Sequence, residues 1–147
     1  MSPLIKLPCL CATVRRAART VTAAYDDVLR KHSMTITQFT ILQALQLASP
    51  VTQGQLGDIL AIDSTTLTRS LRLLMKSRWI HRTEGADRRA WSFSLTKRGE
   101  CVFNGALPDW GEVQQQLRKQ LGQDAWLNAF EASNQLTTAV QKIGEGK

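Results

Sequence analysis

The sequence predicts a mainly α-helical chain that carries one small β-hairpin. Over most of its length, apolar residues recur at steps of three and four, the helical rhythm. One stretch breaks it: Trp91, Phe93 and Leu95 alternate with Ser92 and Ser94, and Trp79 to Thr83 forms a second short run rich in strand formers. The third observation is size, because 147 residues suit a single domain, or a domain with a helical appendage.

Pro3 and Pro8 keep the first residues irregular, and Pro8 suits the first turn of a helix. From Leu10, the residues Val14, Ala17, Val21, Ala24, Val28 and Leu29 repeat at helical steps up to about His32, while Arg15, Arg16, Arg19 and Arg30 form a solvated face. Thr37 is expected to cap the next helix, where Phe39, Leu42 and Leu45 point one way and Pro50 marks the end. Thr52 and Gln55 stand at capping-box spacing, and Leu56, Ile59 and Leu60 are expected to give the following helix its apolar face. The chain breaks at Ala61-Ile62. Asp63 is a good N-cap for another helix, with Ile62 and Leu67 placed as a hydrophobic staple.

After the two strands, Val102, Phe103, Leu107, Trp110, Val113 and Leu117 restore the helical pattern. Pro108 should kink this helix, and Gly105 and Gly111 weaken it. Gly122 separates the last helix, whose stripe is Trp126, Phe130, Ser133, Leu136, Val140 and Ile143. One chain offers little to cover that stripe. The simplest sink is a second copy, the first helix and the last two helices of both chains forming a joint bundle.

The helix opened by Asp63 is two-faced. Leu67, Leu71 and Leu74 face a core, whereas Thr65, Arg69, Arg72 and Lys76 form a stripe on another side. No carboxylate follows Asp63 before Glu84, so these cations have no obvious partner in their own helix. A solvated amphipathic face explains the stripe as well as a nucleic-acid contact does. The hairpin separates the two readings, because Glu84-Gly85-Ala86-Asp87-Arg88-Arg89-Ala90 is a turn-rich loop with two arginines near its tip. A basic loop just after such a helix can enter the minor groove, whose negative potential attracts Arg. Hydroxyls and backbone N–H groups at the helix start reach phosphates, and Arg pairs bidentately with guanine in the major groove. Two short helices followed by a basic hairpin make a winged helix-turn-helix.

The sequence here resembles the MarR family of bacterial winged-helix transcription regulators. The matching residues are Leu67-Thr68-Arg69 with Leu74, then Asp87 and Arg89 in the wing, then Leu95-Thr96-Lys97-Arg98-Gly99 where the wing returns to a helix. Residues 34–99 would be the DNA-binding lobe, and 9–32 with 100–144 a helical dimerisation region, in one chain spanning 1–147. The residues expected to touch bases and phosphates are Ser64, Thr65, Thr66, Thr68, Arg69 and Arg72, with Lys76 as a peripheral phosphate contact and Arg88 of the wing loop as a further DNA-binding residue. By resemblance, Arg89 is the minor-groove arginine of the wing tip and Asp87 fixes the loop. The resemblance also implies a homodimer on a pseudo-palindromic duplex site. The corresponding function is that of a repressor released when an effector favours a dimer whose recognition helices no longer match successive major grooves.

Net charge is +7, concentrated in the first two thirds of the chain, as a nucleic-acid-binding body requires. No apolar run is long enough to span a bilayer and the first ten residues do not read as a signal peptide, so a cytoplasmic protein without a membrane partner is expected. Absent too are a phosphate-cradling glycine loop, an H-E-x-x-H motif and zinc-finger spacing, so neither an enzyme nor a cofactor is expected. The alternative is a winged-helix module that binds protein or nucleic acid without operator specificity.

Three cysteines argue against a secreted disulfide framework. Cys9 and Cys11 begin the first helix beside Arg15 and Arg16, a setting that favours thiolate. On a regular helix two such residues point apart, so joint action needs an extended end. Cys101 begins the helix after the wing. In the dimer that the resemblance implies, Cys9, Cys11 and Cys101 of two chains can hold a thiophilic ion such as arsenite, or form an intersubunit disulfide. Oxidant-sensing members of the family use a first-helix cysteine in this way. Against this stands the plainer reading of three small buried hydrophobes. The resemblance allows a third effector, a small aromatic ligand near Tyr25, His32 or Arg16.

Overall fold

The computed structural model describes residues 8–85 and 90–145. Contacts divide the chain into two units, Met1–Trp110 and Gly111–Lys147. In the first unit, α1 (Leu10–Leu29) runs into a short 3-10 turn (Arg30–His32), followed by α2 (Ile36–Ala48). Then come β1 (Val51–Thr52), α3 (Gln53–Leu60), α4 (Ser64–Lys76), β2 (Ile80–Glu84), β3 (Trp91–Leu95) and the start of α5 (Lys97–Leu121). The mainly helical class with a small β wing therefore holds.

The core lies under α2. Phe39, Ile41, Leu42 and Leu45 are all fully buried, so this helix is enclosed on more than the one face that Phe39, Leu42 and Leu45 define. Around it close Leu29, Leu56, Leu67, Leu71 and Leu74. Phe39 also meets two rings of α5, Phe103 at 5.0 Å and Trp110 at 5.6 Å between centroids.

Several local expectations need correction. Thr35, not Thr37, caps α2: its hydroxyl accepts from the Gln38 N–H at 3.3 Å, and the Gln38 side chain accepts from the Thr35 N–H at 3.0 Å. A glutamine at the third helical position selects between two threonines, since only Thr35 completes the reciprocal pair. Asp26 adds a tertiary cap by accepting from the Ile36 N–H at 2.6 Å. On α3, Leu56 alone is buried, while Ile59 is exposed and Leu60 half-buried. The second strand starts at Ile80 rather than Trp79, because Arg78 adopts the left-handed conformation and the Trp79 N–H still serves the helix, donating to the Leu74 carbonyl.

The hairpin is part of a three-stranded antiparallel sheet in the order β1-β3-β2. Val51-Thr52 supplies the extra strand, Val51 opposite Phe93. Two residues are too short to leave a periodic signal. Pairing of Arg82 with Phe93 and of Ile80 with Leu95 puts Trp91, Phe93 and Leu95 on one sheet face, as the alternation requires. Exposure does not alternate with them: Phe93 and Ser92 are buried, yet Trp91 is 46% exposed. Trp91 pairs with Glu84 at the outer end of the hairpin.

In the second unit α5 continues to Leu121, Gly122 takes a positive φ of 79°, and α6 spans Gln123–Glu145. Pro108 therefore does not end α5. Among the described residues of this unit only Val113 is buried. On α6, Phe130 is exposed and Trp126, whose ring meets it edge-on at 5.0 Å, is half-buried; Val140 and Ile143 are exposed.

Candidate nucleic-acid interface

The helix pair is fixed at both of its starts. Thr52 Oγ1 accepts from the Gln55 N–H at 3.2 Å, and Gln55 Oε1 accepts from the Thr52 N–H at 2.9 Å. At the second start Asp63 Oδ1 accepts from the Thr66 N–H at 2.9 Å. Hydrogen bonds from the Thr66 side chain and backbone hold the Asp63 carboxyl below its ordinary range. Between the helices Ala61 turns the chain at φ 49°, and the Ile62 N–H donates to the Gly57 carbonyl at 3.2 Å.

With its start fixed, α4 presents its two faces as the spacing requires. Leu67, Leu71 and Leu74 are buried, while Ser64, Thr65, Thr66, Thr68, Arg69, Arg72 and Lys76 are all exposed. The ion pairs among the described residues are Arg30 with Asp27, and Lys31 and His32 with Asp109; none engages this stripe. An exposed cation stripe without internal counter-charges leaves its field directed outward, where polyanions are attracted.

Not every hydroxyl on the stripe is equally available. Thr68 donates to the Ser64 carbonyl at 2.7 Å and accepts from Gln53 Nε2 at 2.7 Å. A phosphate oxygen only accepts, so in this rotamer Thr68 has no proton to give it. Its observed work is to tie α3 to α4.

Beside α4 lies a groove of about 560 Å³ whose lining includes Gln53, Thr68, Arg72, Met75, Arg82 and Trp91. The Arg82 guanidinium carbon sits 4.4 Å from the centre of the Trp91 ring. Sequence reasoning passed over Gln53, Arg82 and Trp91. The signal was the strand register: with Arg82 opposite Phe93, Trp91 becomes its diagonal neighbour on the same face. Asp87, Arg88 and Arg89, expected at the wing tip, lie outside the described residues.

The cysteines are not buried: Cys9, Cys11 and Cys101 are all exposed and free, which corrects the reading of them as small buried hydrophobes. Cys9 is the extended residue before α1, at φ −130° and ψ 113°. It and Cys11 border the same shallow groove as Arg15, Arg16 and Arg19. Among the described residues no three His, Cys, Asp or Glu side chains of the chain gather to hold a metal. Of the residues considered for an aromatic ligand, Tyr25 is buried, which raises its phenol pKa. His32 Nε2 lies 2.6 Å from Asp109 Oδ2, and Lys31 bonds the other oxygen of that carboxylate. These two bonds, Lys31 first, hold the Asp109 carboxyl below its ordinary range. No helix among the described residues is long and apolar enough to cross a membrane.

A family model described as MarR family matches residues 32–90, from the 3-10 turn to the end of the wing loop. Among solved structures, the chain is similar to the Mycobacterium tuberculosis transcriptional regulator MosR crystallised with DNA. That match has 32% identity and a TM-score of 0.83, and covers 92% of this chain and 98% of the other. Among curated proteins it is 31% identical over 96 residues to the HTH-type transcriptional regulator SarZ of Staphylococcus epidermidis, covering 65% of each chain. Over 90 residues it is 26% identical to the HTH-type transcriptional regulator YwoH of Bacillus subtilis, covering 61% of this chain and 66% of that one. The match thus spans just under two thirds of the length of these curated relatives.

Proposed function

Because the chain belongs to the MarR family, we propose that it is a cytoplasmic, sequence-specific regulator of transcription that binds a pseudo-palindromic duplex as a homodimer and represses it. The observation that carries this reading is the α4 stripe. Thr65, Arg69, Arg72 and Lys76 are exposed and unpaired among the described residues, on a helix pinned from behind by three buried leucines. Such a surface fits the major groove, with Arg69 paired to a base edge and Arg72 and Lys76 on phosphates. Residues 34–99 act as the reading lobe, and 9–32 with 100–144 as the dimerisation region. The exposed apolar residues of α1 and α6 support that division.

Release is by a small effector or by thiol chemistry. Exposure of Cys9, Cys11 and Cys101 in the single chain supports the thiol route, because an oxidant or a thiophilic metalloid must reach sulfur. Thiol titration of the native protein, followed by DNA binding before and after oxidant or arsenite, tests it. Unchanged binding after all accessible thiols have reacted rejects the thiol route.

The DNA reading is tested with a duplex selected by the wild-type protein from a random pool, and a scrambled version of it. Arg69→Ala should lower affinity for the selected duplex by about 1–3 kcal/mol and relax preference for it. An equal loss on both duplexes refutes base reading by Arg69.

A further inference from the structure

We propose that Arg82, carried by β2 and held over the Trp91 indole, is a further DNA-backbone contact, and that Trp91 is its positioning residue. The inference rests on the DNA-binding reading and adds to it a contact outside α4 and outside the wing tip. Arg82 is exposed and has no ion pair among the described residues. A long cationic side chain in that state ordinarily samples many rotamers, and holding it in one costs entropy. Here the guanidinium lies 4.4 Å from the ring centre of Trp91, within the range of a cation–π contact. The large, half-exposed indole at the outer end of the hairpin has little other packing role, because the sheet's apolar centre is Phe93 behind it.

The groove gives the guanidinium an occupant. Arg82 and Trp91 border it together with Arg72 of the α4 stripe and Gln53 of the first turn of α3, and among the described residues no acidic one lines it. Gln53 is locked to Thr68 through its Nε2, which fixes that wall relative to the recognition helix. Two arginines on the border of one groove, with no carboxylate among its described lining residues, are complementary to a polyanion. Because Arg72 shares the exposed stripe with Arg69, a duplex seated on α4 brings its sugar-phosphate backbone to this groove. Arg82 would then bind a phosphate oxygen on the wing side of the strand that Arg72 contacts, fixing the register of α4 while carrying no sequence preference.

The test uses the full chain, with the selected and scrambled duplexes above, titrated by fluorescence anisotropy at several salt concentrations. Arg82→Ala should lower the slope of log K against log salt by about 0.9 for each protomer engaged, equally on both duplexes. Arg82→Lys should keep most of that slope. Trp91→Leu should weaken binding by about two- to fivefold, the size of an exposed cation–π contact, and Trp91→Phe should restore it. Thermal melts confirm that each variant is folded. If the wild type binds DNA but Arg82→Ala leaves slope and affinity unchanged, this inference falls alone. If the wild type binds neither duplex, the DNA-binding reading falls with it.

Discussion

Gly99 offers the most direct test of how the wing is joined to α5. A Cβ at this position would lie 1.9 Å from the Trp79 carbonyl oxygen, 2.8 Å from its carbon and 3.2 Å from its Cα. Carbon and oxygen tolerate about 3.3 Å, so Gly99→Ala forces the start of α5 and the entrance to β2 apart by more than an ångström. That carbonyl cannot retreat freely. It accepts from the Thr96 N–H at 3.0 Å and, at 3.2 Å, shares the one proton of the Thr96 hydroxyl with the Arg78 carbonyl at 2.7 Å; that hydroxyl also accepts from the Gly99 N–H at 2.9 Å.

Overpacking typically costs about 1–3 kcal/mol, and each lost hydrogen bond roughly 0.5–1.5 kcal/mol. Ala in place of Gly within a helix returns about 0.5–1 kcal/mol. The net loss is therefore about 2–4 kcal/mol, a large share of the ~5–15 kcal/mol typical of a folded domain. In urea, with a slope of about 1–3 kcal/mol per molar, the midpoint should fall by roughly 1–2 M at fixed protein concentration. Gly105 is the control. It lies in the same helix with nothing within 4 Å of an added Cβ, so Gly105→Ala should raise the midpoint. A Gly99→Ala midpoint equal to that of the wild type would refute the argument.

Three further outcomes are expected. Ala61 and Arg78 hold left-handed backbones at φ 49° and 59°; Ala61→Gly and Arg78→Gly should each stabilise by about 0.5–1 kcal/mol in urea titrations, and a loss would show the turns are not strained. Asp109, held below its ordinary value of 3.8 by Lys31 and then His32, contributes stability that is present above that value and lost as pH falls through the lower folded-state value. Thermal melts of the wild type should therefore fall more steeply with acid in that window than those of Asp109→Asn, and parallel curves would contradict the pairing. Finally, Val140→Glu on α6, at a side chain 65% exposed, should shift the sedimentation equilibrium from dimer to monomer without loss of helical circular dichroism; an unchanged mass would place the interface elsewhere.

The helix-turn-helix was legible because its signals are local. A capping box at Thr52 and Gln55, an acidic cap at Asp63 and three leucines at helical spacing each act within one turn of chain. Apart from the α2 cap, where the local pair Thr35 and Gln38 decides, the errors arose where a residue's state depends on distant partners. Ile59 has helical spacing but nothing to cover it, and Val51-Thr52 becomes a strand only because β3 is there to pair with it. Trp91 follows the alternation in direction and departs from it in burial, since burial depends on where the helical lobe ends. Thr68 shows the same limit at the site: its spacing placed it on the stripe correctly, but its proton goes to Ser64 and its acceptor to Gln53. The groove with Arg82 needs the strand register, which periodicity does not provide.

One physical condition links the two ends of the chain to its middle. α6 is a 23-residue helix with no buried side chain among its described residues, and α1 leaves Leu10, Val14 and Val21 exposed. Isolated helices are marginal in water, and most helical stability comes from burying an apolar face. On the dimer reading, a second copy supplies that burial, so the same contact that stabilises α6 also brings a second α4 stripe to the duplex. One lobe offers few cations on α4, and contacts of that kind by themselves give mainly non-specific binding that falls steeply with salt. Joining two lobes makes the second engagement intramolecular, which multiplies affinity only when the spacing of the two helices matches the groove repeat. On the proposed reading, an effector would therefore not need to touch α4 to release DNA. It is enough to stabilise a bundle in which the two stripes are held at another distance.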